Sequence, residues 1–446
     1  MDRRSAPPLP PTPASPLPPI PASPLLPLPP SVGSPIRRTL VRSPLPPPPV
    51  SVLLERKVKF VRGAQATCTP LPSRSRLGHQ ELREVVMNTM EADIDIVDPP
   101  EVSRLSMVRQ ISLQRPSCGI ISSTDRALVL LYAGIPVSTG YGYLVYDAST
   151  NSISRVPMLD SGRSLCRAAI LSLGKGEYVL AEVVSRFDDA TLYLWYYTSY
   201  QSRWRSLACL PPRLFPPKYS FKIDMAFSYA DTSVCFVDLL KGVLVCKLHN
   251  SPEPEITFVP LPVGYSIDFP SEVPREGYPM GRPRPEEFRT MRCVGGAIKF
   301  VSLVGYYERH SHSGMVLKTW NLSQDLKNWE LGKSLSVTDI WASQSFCERN
   351  LPRVTPTFPV LSLDDAEAIY VTLNVIDYEK YVNNYGEICP GNMLHKAHYM
   401  ICIDTVQNKI LSSNKIIPEN WKPYFPDLIP SNFNAYLQEV LLSLIA

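Results

Sequence analysis

The sequence predicts an all-β body, an irregular β-propeller-like domain of about six or seven blades of the kelch or F-box-associated kind, and three observations carry that prediction. First, a strand phrase recurs: Tyr143-Leu144-Val145-Tyr146-Asp147, Tyr193-Leu194-Trp195-Tyr196-Tyr197 and Val243-Leu244-Val245-Cys246 start at intervals of 50 residues, with looser copies at Val316 and Tyr399. A fixed period of that length is the mark of a repeat architecture. Second, each copy is followed by a polar turn and a second run that closes on Pro or Leu, as in Trp204 to Pro211 and Ile256 to Pro262; that is the plan of a small antiparallel sheet. Third, Trp195 and Trp204 bracket one such hairpin and Trp320 and Trp329 another, at the same separation of nine residues, which assigns large side chains to corresponding gaps between sheets. One small sheet cannot bury its own apolar face, so several must stack.

The chain begins differently. Residues 1–50 hold 19 of the 47 prolines, five arginines (Arg3, Arg4, Arg37, Arg38 and Arg42) and one acid, Asp2. Proline fixes φ and lacks the N–H of helices and ladders, so this arm is expected to stay extended and solvated. Its excess of arginine accounts for the whole formal charge of +4, which leaves residues 51–446 balanced. A neutral body has no overall attraction to phosphate backbones, and this argues against nucleic acid as the partner. Arg4-Ser5-Ala6-Pro7-Pro8-Leu9-Pro10 has the RxxPxxP form that docks in aromatic grooves, so Arg4, Pro7 and Pro10 are candidate partner-binding residues. Ser15, Ser23, Ser34 and Ser43 each precede a proline, and phosphorylation there would reverse the sign of the arm.

From residue 51 a single propeller-like domain is expected to run to 446. Val52 to Arg56 and Phe60-Val61 read as entering strand. Glu84 to Ile96 has a composition open to helix, while the alternation Asp93-Ile94-Asp95-Ile96-Val97 favours strand, and Asp98-Pro99-Pro100 stops either one. Regular strands follow at Ala127 to Tyr132, Gly142 to Tyr146, Ala168 to Leu173, Tyr178 to Val184, Leu192 to Tyr197 and Trp204 to Cys209, with Gly174-Lys175-Gly176 and Asp188-Asp189 as reversals. Ser233 to Val237 and Gly242 to Cys246 flank the hairpin Asp238-Leu239-Leu240-Lys241. Two insertions break the rhythm. One, near 263–289, is rich in Pro, Gly, Arg and Glu and offers Arg282 and Arg284 as candidate partner contacts; the other, near 374–395, is polar and carries Tyr378, Tyr381 and Tyr385. Asn432 is placed to cap a short helix near 433–445, with Phe433, Tyr436, Leu437, Val440, Leu441 and Leu444 as its apolar stripe.

Chemistry leaves few marks. No glycine-rich phosphate loop, Gly-x-Ser-x-Gly elbow or CxxC is present. Cys389, His395, His398 and Cys402 could supply zinc ligands, but their spacing lacks a short clamp and His398, Met400 and Cys402 alternate as one face of a strand. Asp188-Asp189 and Asp364-Asp365 read as turns. No catalytic, metal or cofactor site is therefore assigned and no cofactor is expected. No stretch has the roughly 20 apolar residues of a membrane span. A cytoplasmic or nuclear protein is expected, with organellar import through an atypical N-terminal transit peptide as the alternative.

Further residues carry a resemblance. Asp98-Pro99-Pro100-Glu101-Val102-Ser103-Arg104, Phe236 to Leu244, Phe258-Val259-Pro260-Leu261-Pro262, Lys318-Thr319-Trp320-Asn321-Leu322, Asp339-Ile340-Trp341-Ala342 and Pro356 to Ser362 are similar, in that order, to landmarks of the domain of unknown function 1618 family. The resemblance spans about 51–378 and implies a plant origin, in a family expanded in grasses, and a mainly β, propeller-like body. It supplies no established activity. The family commonly has Trp where this chain has Leu240, and the long proline-rich arm is a departure from it. The expected function is non-catalytic recognition of protein partners through loops at one end of the blades; the alternative is a hydrolase or sugar-active enzyme with carboxylates in a central channel. Converging carboxylates of shifted pKa would favour the enzyme, and an apolar or plugged channel would favour recognition.

Overall fold

The computed structural model describes residues 51–62, 90–109, 118–133, 142–157, 167–185, 192–210, 221–248, 254–268, 282–308, 310–382, 388–416 and 426–437, with isolated positions between them. The arm with Arg4, Pro7 and Pro10 lies outside them, as do Asp188-Asp189. Pro48–Ala446 forms one compact unit, and most of its described residues are in strands.

Four strands open it: β1 (Val52–Glu55), β2 (Lys57–Arg62), β3 (Met90–Asp95) and β4 (Val102–Arg109). Five antiparallel meanders follow. They are β5 (Cys118–Asp125), β6 (Leu128–Ala133), β7 (Gly142–Asp147) and β8 (Ser152–Val156); then, after the two-residue β9 (Arg163–Ser164), β10 (Ala169–Gly174), β11 (Glu177–Ser185), β12 (Leu192–Thr198) and β13 (Arg203–Leu210). The third is β14 (Met225–Tyr229), β15 (Ser233–Asp238), β16 (Gly242–Lys247) and β17 (Glu255–Pro260), and the fourth β18 (Arg289–Val294), β19 (Ala297–Val304), β20 (Val316–Leu322) and β21 (Trp329–Ser336). Two short helices, α1 (Val337–Ala342) and α2 (Gln344–Glu348), lead to the fifth: β22 (Pro356–Leu361), β23 (Ala368–Val382), β24 (Ile388–Asp404) and β25 (Lys409–Ile416). The last strand, β26 (Leu428–Ser431), returns to the start and pairs antiparallel with β1, which pairs in turn with β4, and β4 with β3. That assembly is a sixth leaf made from both ends of the body. Through β2, which bridges β4 and β5, it is continuous with the first leaf.

The 50-residue repeat is explained by this arrangement. The phrases at Tyr143, Tyr193, Val243, Val316 and Tyr399 fall on β7, β12, β16, β20 and β24, the third strand of each of the five meanders.

Strand alternation closes the ring. In β15, Val234 and Phe236 pack against leaf two beside Leu171, Ala181 and Leu194, while Cys235 and Val237 pack against leaf four beside Met291, Phe300 and Trp320. Leu128, Leu130 and Tyr132 face leaf two; Val129, Leu131 and Ala133 face the sixth leaf. The same division holds in β23, where Ile369 and Val371 meet leaf four and Ala368 and Tyr370 meet Leu53 and Leu428 of leaf six. Six apolar clusters thus lie at six junctions, and each fully buried Leu or Phe contributes about 1.5–3 kcal/mol. The innermost strands β5, β10, β14, β18, β22 and β26 are neighbours in cyclic order, with β26 beside β5. The body is a six-leaf, propeller-like ring.

One expectation changes, and one open reading is decided. The polar stretch near 374–395 is not a loop: its backbone continues the ladder, from Asn374 opposite His398 out to Val382 opposite Ile388. Mixed polar and apolar residues without a strict period look like loop in sequence, and only the cross-strand pairing makes the segment strand. Met90–Asp95 is strand, as the alternation at 93–97 favours, and pairing with β4 decides a segment whose composition also allowed helix. The C-terminal stripe begins as expected, with a helical turn at 434–437, Phe433 fully buried and Tyr436 and Leu437 against the junction of leaves six and one.

Candidate functional site

Meander topology divides the connections between two ends of the ring. At one end they are tight: 126–127, 175–176, 230–232 and 295–296 join first to second strands, and 148–151, 199–202 and 405–408 join third to fourth. Arg126, Asn151, Lys175, Ser202, Ala230, Asp231 and Asn408 take left-handed φ there, as hairpin reversals require. At the other end β8, β13, β17, β19, β21 and β25 give way to their longer connections, and the β23–β24 hairpin also projects that way. Function is disproportionately placed on such loops.

At the loop end Arg282 is anchored. Its guanidinium donates to both carboxylate oxygens of Asp224, at 2.8 Å from Nη2 to Oδ2, and Nη2 donates to Asp238 Oδ1 at 2.7 Å. Asp224 also accepts from the Leu239 N–H, and Asp238 from the N–H groups of Leu240 and Lys222. Asp224 and Asp238 are 5% and 1% exposed, Arg282 17%. Burial raises the Asp238 pKa although Arg282 opposes it; burial also works against the Arg282 charge, yet Asp224 and Asp238 hold that guanidinium above its ordinary value. The side chain fastens 282–288 to the third leaf. Arg284, by contrast, is 62% exposed and lies 4.0 Å from Glu287.

Two recesses adjoin this anchor. The first, a cleft of about 470 Å³, is lined by Pro283, Arg284, Glu287, Phe288, Tyr306, Tyr307, His310 and Met315. Phe288 stacks on Tyr306 at 5.5 Å and on Tyr307 at 6.2 Å, and the Tyr306 hydroxyl donates to Glu287 at 3.2 Å. The loop carrying these rings turns at Gly305 (φ +86°), and the His310 N–H donates to the Gly305 carbonyl.

The second recess is on the axis: a cavity of about 40 Å³ bounded by Arg56, Glu286, Arg289, Arg292, Phe358 and Asp427 with neighbouring inner-strand residues. Burial raises the pKa of Glu286, helped by Asp224 and Asp427 and opposed by Arg167; crowding by surrounding protein pushes Asp427 the same way, again opposed by Arg167, although its side chain is 56% exposed and the push is correspondingly screened. Below the cavity the channel is filled. Arg292 Nη2 donates to Thr124 Oγ1 of the opposite leaf at 3.3 Å, and Asp125 accepts from the Ser172 N–H and the Ser228 hydroxyl, both at 2.7 Å.

The other sequence candidates fall as follows. Asp364-Asp365 occupy the β22–β23 turn, their N–H groups donating to Ser362 Oγ. His398 and Cys402 are buried on β24, with His398 Nδ1 2.7 Å from Asn374 Oδ1; the side chains of Cys389 and His395 lie outside the described residues. Arg167, Glu286, Asp427 and the Tyr306-Tyr307 loop escaped sequence reasoning. The first three converge from separate connections, and only the length of the β19–β20 connection marked the fourth. Among the described residues no helix is long and apolar enough to cross a membrane.

Residues 236–370 match the family described as protein of unknown function (DUF1618). That segment belongs to the DUF1618 family. It runs from β15 into β23 and so contains Arg282, Glu286, Arg289, Arg292 and the whole aromatic cleft; the DUF1618 segment supplies most of the loop-end chemistry. No curated protein matches the sequence. Among solved structures the chain is similar to oligogalacturonate lyase from Vibrio parahaemolyticus (10% identity, 72% of this chain and 71% of that one, TM-score 0.35). It is also similar to a DUF4221 member from Bacteroides vulgatus (12%, 74% and 88%, 0.32) and to the β-propeller domain of the trilobed protease from Pyrococcus furiosus (11%, 70% and 82%, 0.29).

Proposed function

We propose that the ring is a non-catalytic protein-recognition scaffold that binds partners through its loop end. The observation that supports this reading most is the segregation of the connections: short reversals at one end, and at the other longer connections, of which 282–288 is tied down by Arg282 with Asp224 and Asp238. Loops fixed on a rigid body lose little entropy on binding. The half-exposed Tyr307 and the exposed Arg284 beside a preformed cleft are of the residue types that dominate interface energetics. Arg292 and Asp125 fill the lower channel, which leaves little axial room for a substrate.

Proximity labelling with the full chain tests the reading. Tyr307→Ala with Arg284→Glu should reduce labelling of the reproducible partners by about tenfold or more, while Lys175→Glu with Ser202→Glu at the tight end should leave it unchanged. Equal losses from both pairs would contradict the reading.

Glu286 and Asp427, two carboxylates of raised pKa on one axial cavity, favour the enzyme as a second reading. Turnover of a glycoside or ester that Glu286→Gln abolishes, with no partner recovered, would establish it instead.

A further inference from the structure

Arg56, Arg289 and Arg292 all line the axial cavity of about 40 Å³, and their residues are only 4%, 5% and 8% exposed. Arg56 has a counter-charge, since its Nε lies 3.5 Å from Asp427 and also donates to the Ile121 carbonyl. Among the described residues the other two donate hydrogen bonds to neutral groups alone. Arg289 donates to the Leu239 carbonyl at 2.8 Å and to Ser302 Oγ at 3.3 Å, and lies over the rings of Phe288 and Phe300; Arg292 donates to Thr124 Oγ1. Neither forms an ion pair with a carboxylate among the described residues. Desolvation pulls both guanidiniums down to about 10, against weaker support from Glu308 and Asp238 for Arg289 and from Asp125 for Arg292.

The remaining acids that face this space do not redress the balance. Asp427 is shared with Arg56, and Glu286 is held toward its neutral form by burial. Asp125 is already committed to Ser172 and Ser228. A buried charge without a counter-charge is destabilising, so a small negative ligand among the guanidiniums would stabilise the fold.

We propose that the axial cavity is a binding site for a small monovalent inorganic anion of chloride size, held between Arg289 and Arg292. The volume suits it, being a few times the 10–15 Å³ or so that one water needs and too small for a larger organic anion. Occupancy would lock β18 to the opposite leaf through Arg292 and stiffen the base from which the DUF1618 loops rise.

Thermal unfolding of the full chain in sodium chloride and in sodium gluconate, at equal ionic strength, reads the effect. The Tm should be higher in chloride by about 2 °C or more and should saturate with concentration. Arg292→Met should abolish the difference. Crystals of the unaltered protein soaked in sodium bromide should give an anomalous peak inside the cavity, a measurement that stands even where the variant fails to fold. Equal Tm values in the two salts, a difference that survives Arg292→Met, or bromide absent from the cavity would overturn the proposal.

Discussion

Trp204 Nε1 donates to the main-chain carbonyl of Pro157 at 2.7 Å, joining the outer strand of the second leaf to the end of the outer strand of the first. Trp329 repeats the device: its Nε1 donates at 2.7 Å to the carbonyl of Pro260, the last residue of β17. Each indole packs as well as bonds, Trp204 on Tyr197 at 5.6 Å and Trp329 on Phe300 at 6.1 Å. The equal spacing within the two hairpins therefore marks two equivalent clips at the rim of the ring.

Replacing Trp204 or Trp329 by Phe keeps a ring and removes the donor. Each substitution should lower stability by about 0.5–1.5 kcal/mol. Because the clips lie on different leaf junctions, the double variant should show the sum of the two. Denaturant midpoints at unchanged m-value measure this.

Arg282→Met should be costly for a different reason. It leaves Asp224 and Asp238 buried without their cation, a loss of about 3–5 kcal/mol. Adding Asp224→Asn should recover part of that loss, whereas Arg284→Met should change stability little, since that side chain is exposed. Chemical denaturation of the three variants separates the two arginines that the sequence presents as alike.

Glu286 predicts a pH dependence. Its pKa is raised on folding, so the folded chain holds this proton more tightly than the unfolded one. The contribution is fully present below the unfolded glutamate pKa and is lost as pH rises through the higher folded value. Glu286→Gln should therefore match the unaltered protein in acid and become the more stable of the two toward neutral pH, a gap that Tm measurements across that window would reveal.

These predictions rest on residues of unequal legibility. The third strands were readable because both faces are buried: Tyr143, Leu144, Val145 and Tyr146 are apolar in succession, divided between two leaf junctions. Their innermost counterparts were not. Strand β18 reads Arg-Thr-Met-Arg-Cys-Val, since Arg289, Thr290 and Arg292 border the axial cavity, and such a pattern resembles a polar turn more than a core strand. The sixth leaf was equally hidden, because Leu428–Ser431 pairs with Val52–Glu55 across the length of the body and short-range periodicity cannot report it. Arg282 was singled out from local composition, but its partners Asp224 and Asp238 belong to another leaf, and only the fold reveals that it is an anchor.

The ring closure carries everything else, for the loops point to a common end only if the first and last strands of the body share a leaf. Hydrogen–deuterium exchange on a chain ending at residue 425, which lacks β26, tests it most directly. Without that strand Leu53, Val360, Tyr370 and Met400 lose Leu428 at their junction, so exchange should accelerate in β1 and β22 together, on opposite sides of the missing strand, and the unfolding transition should lose cooperativity. Protection in β1 and β22 equal to that of the full chain would contradict the closed six-leaf ring.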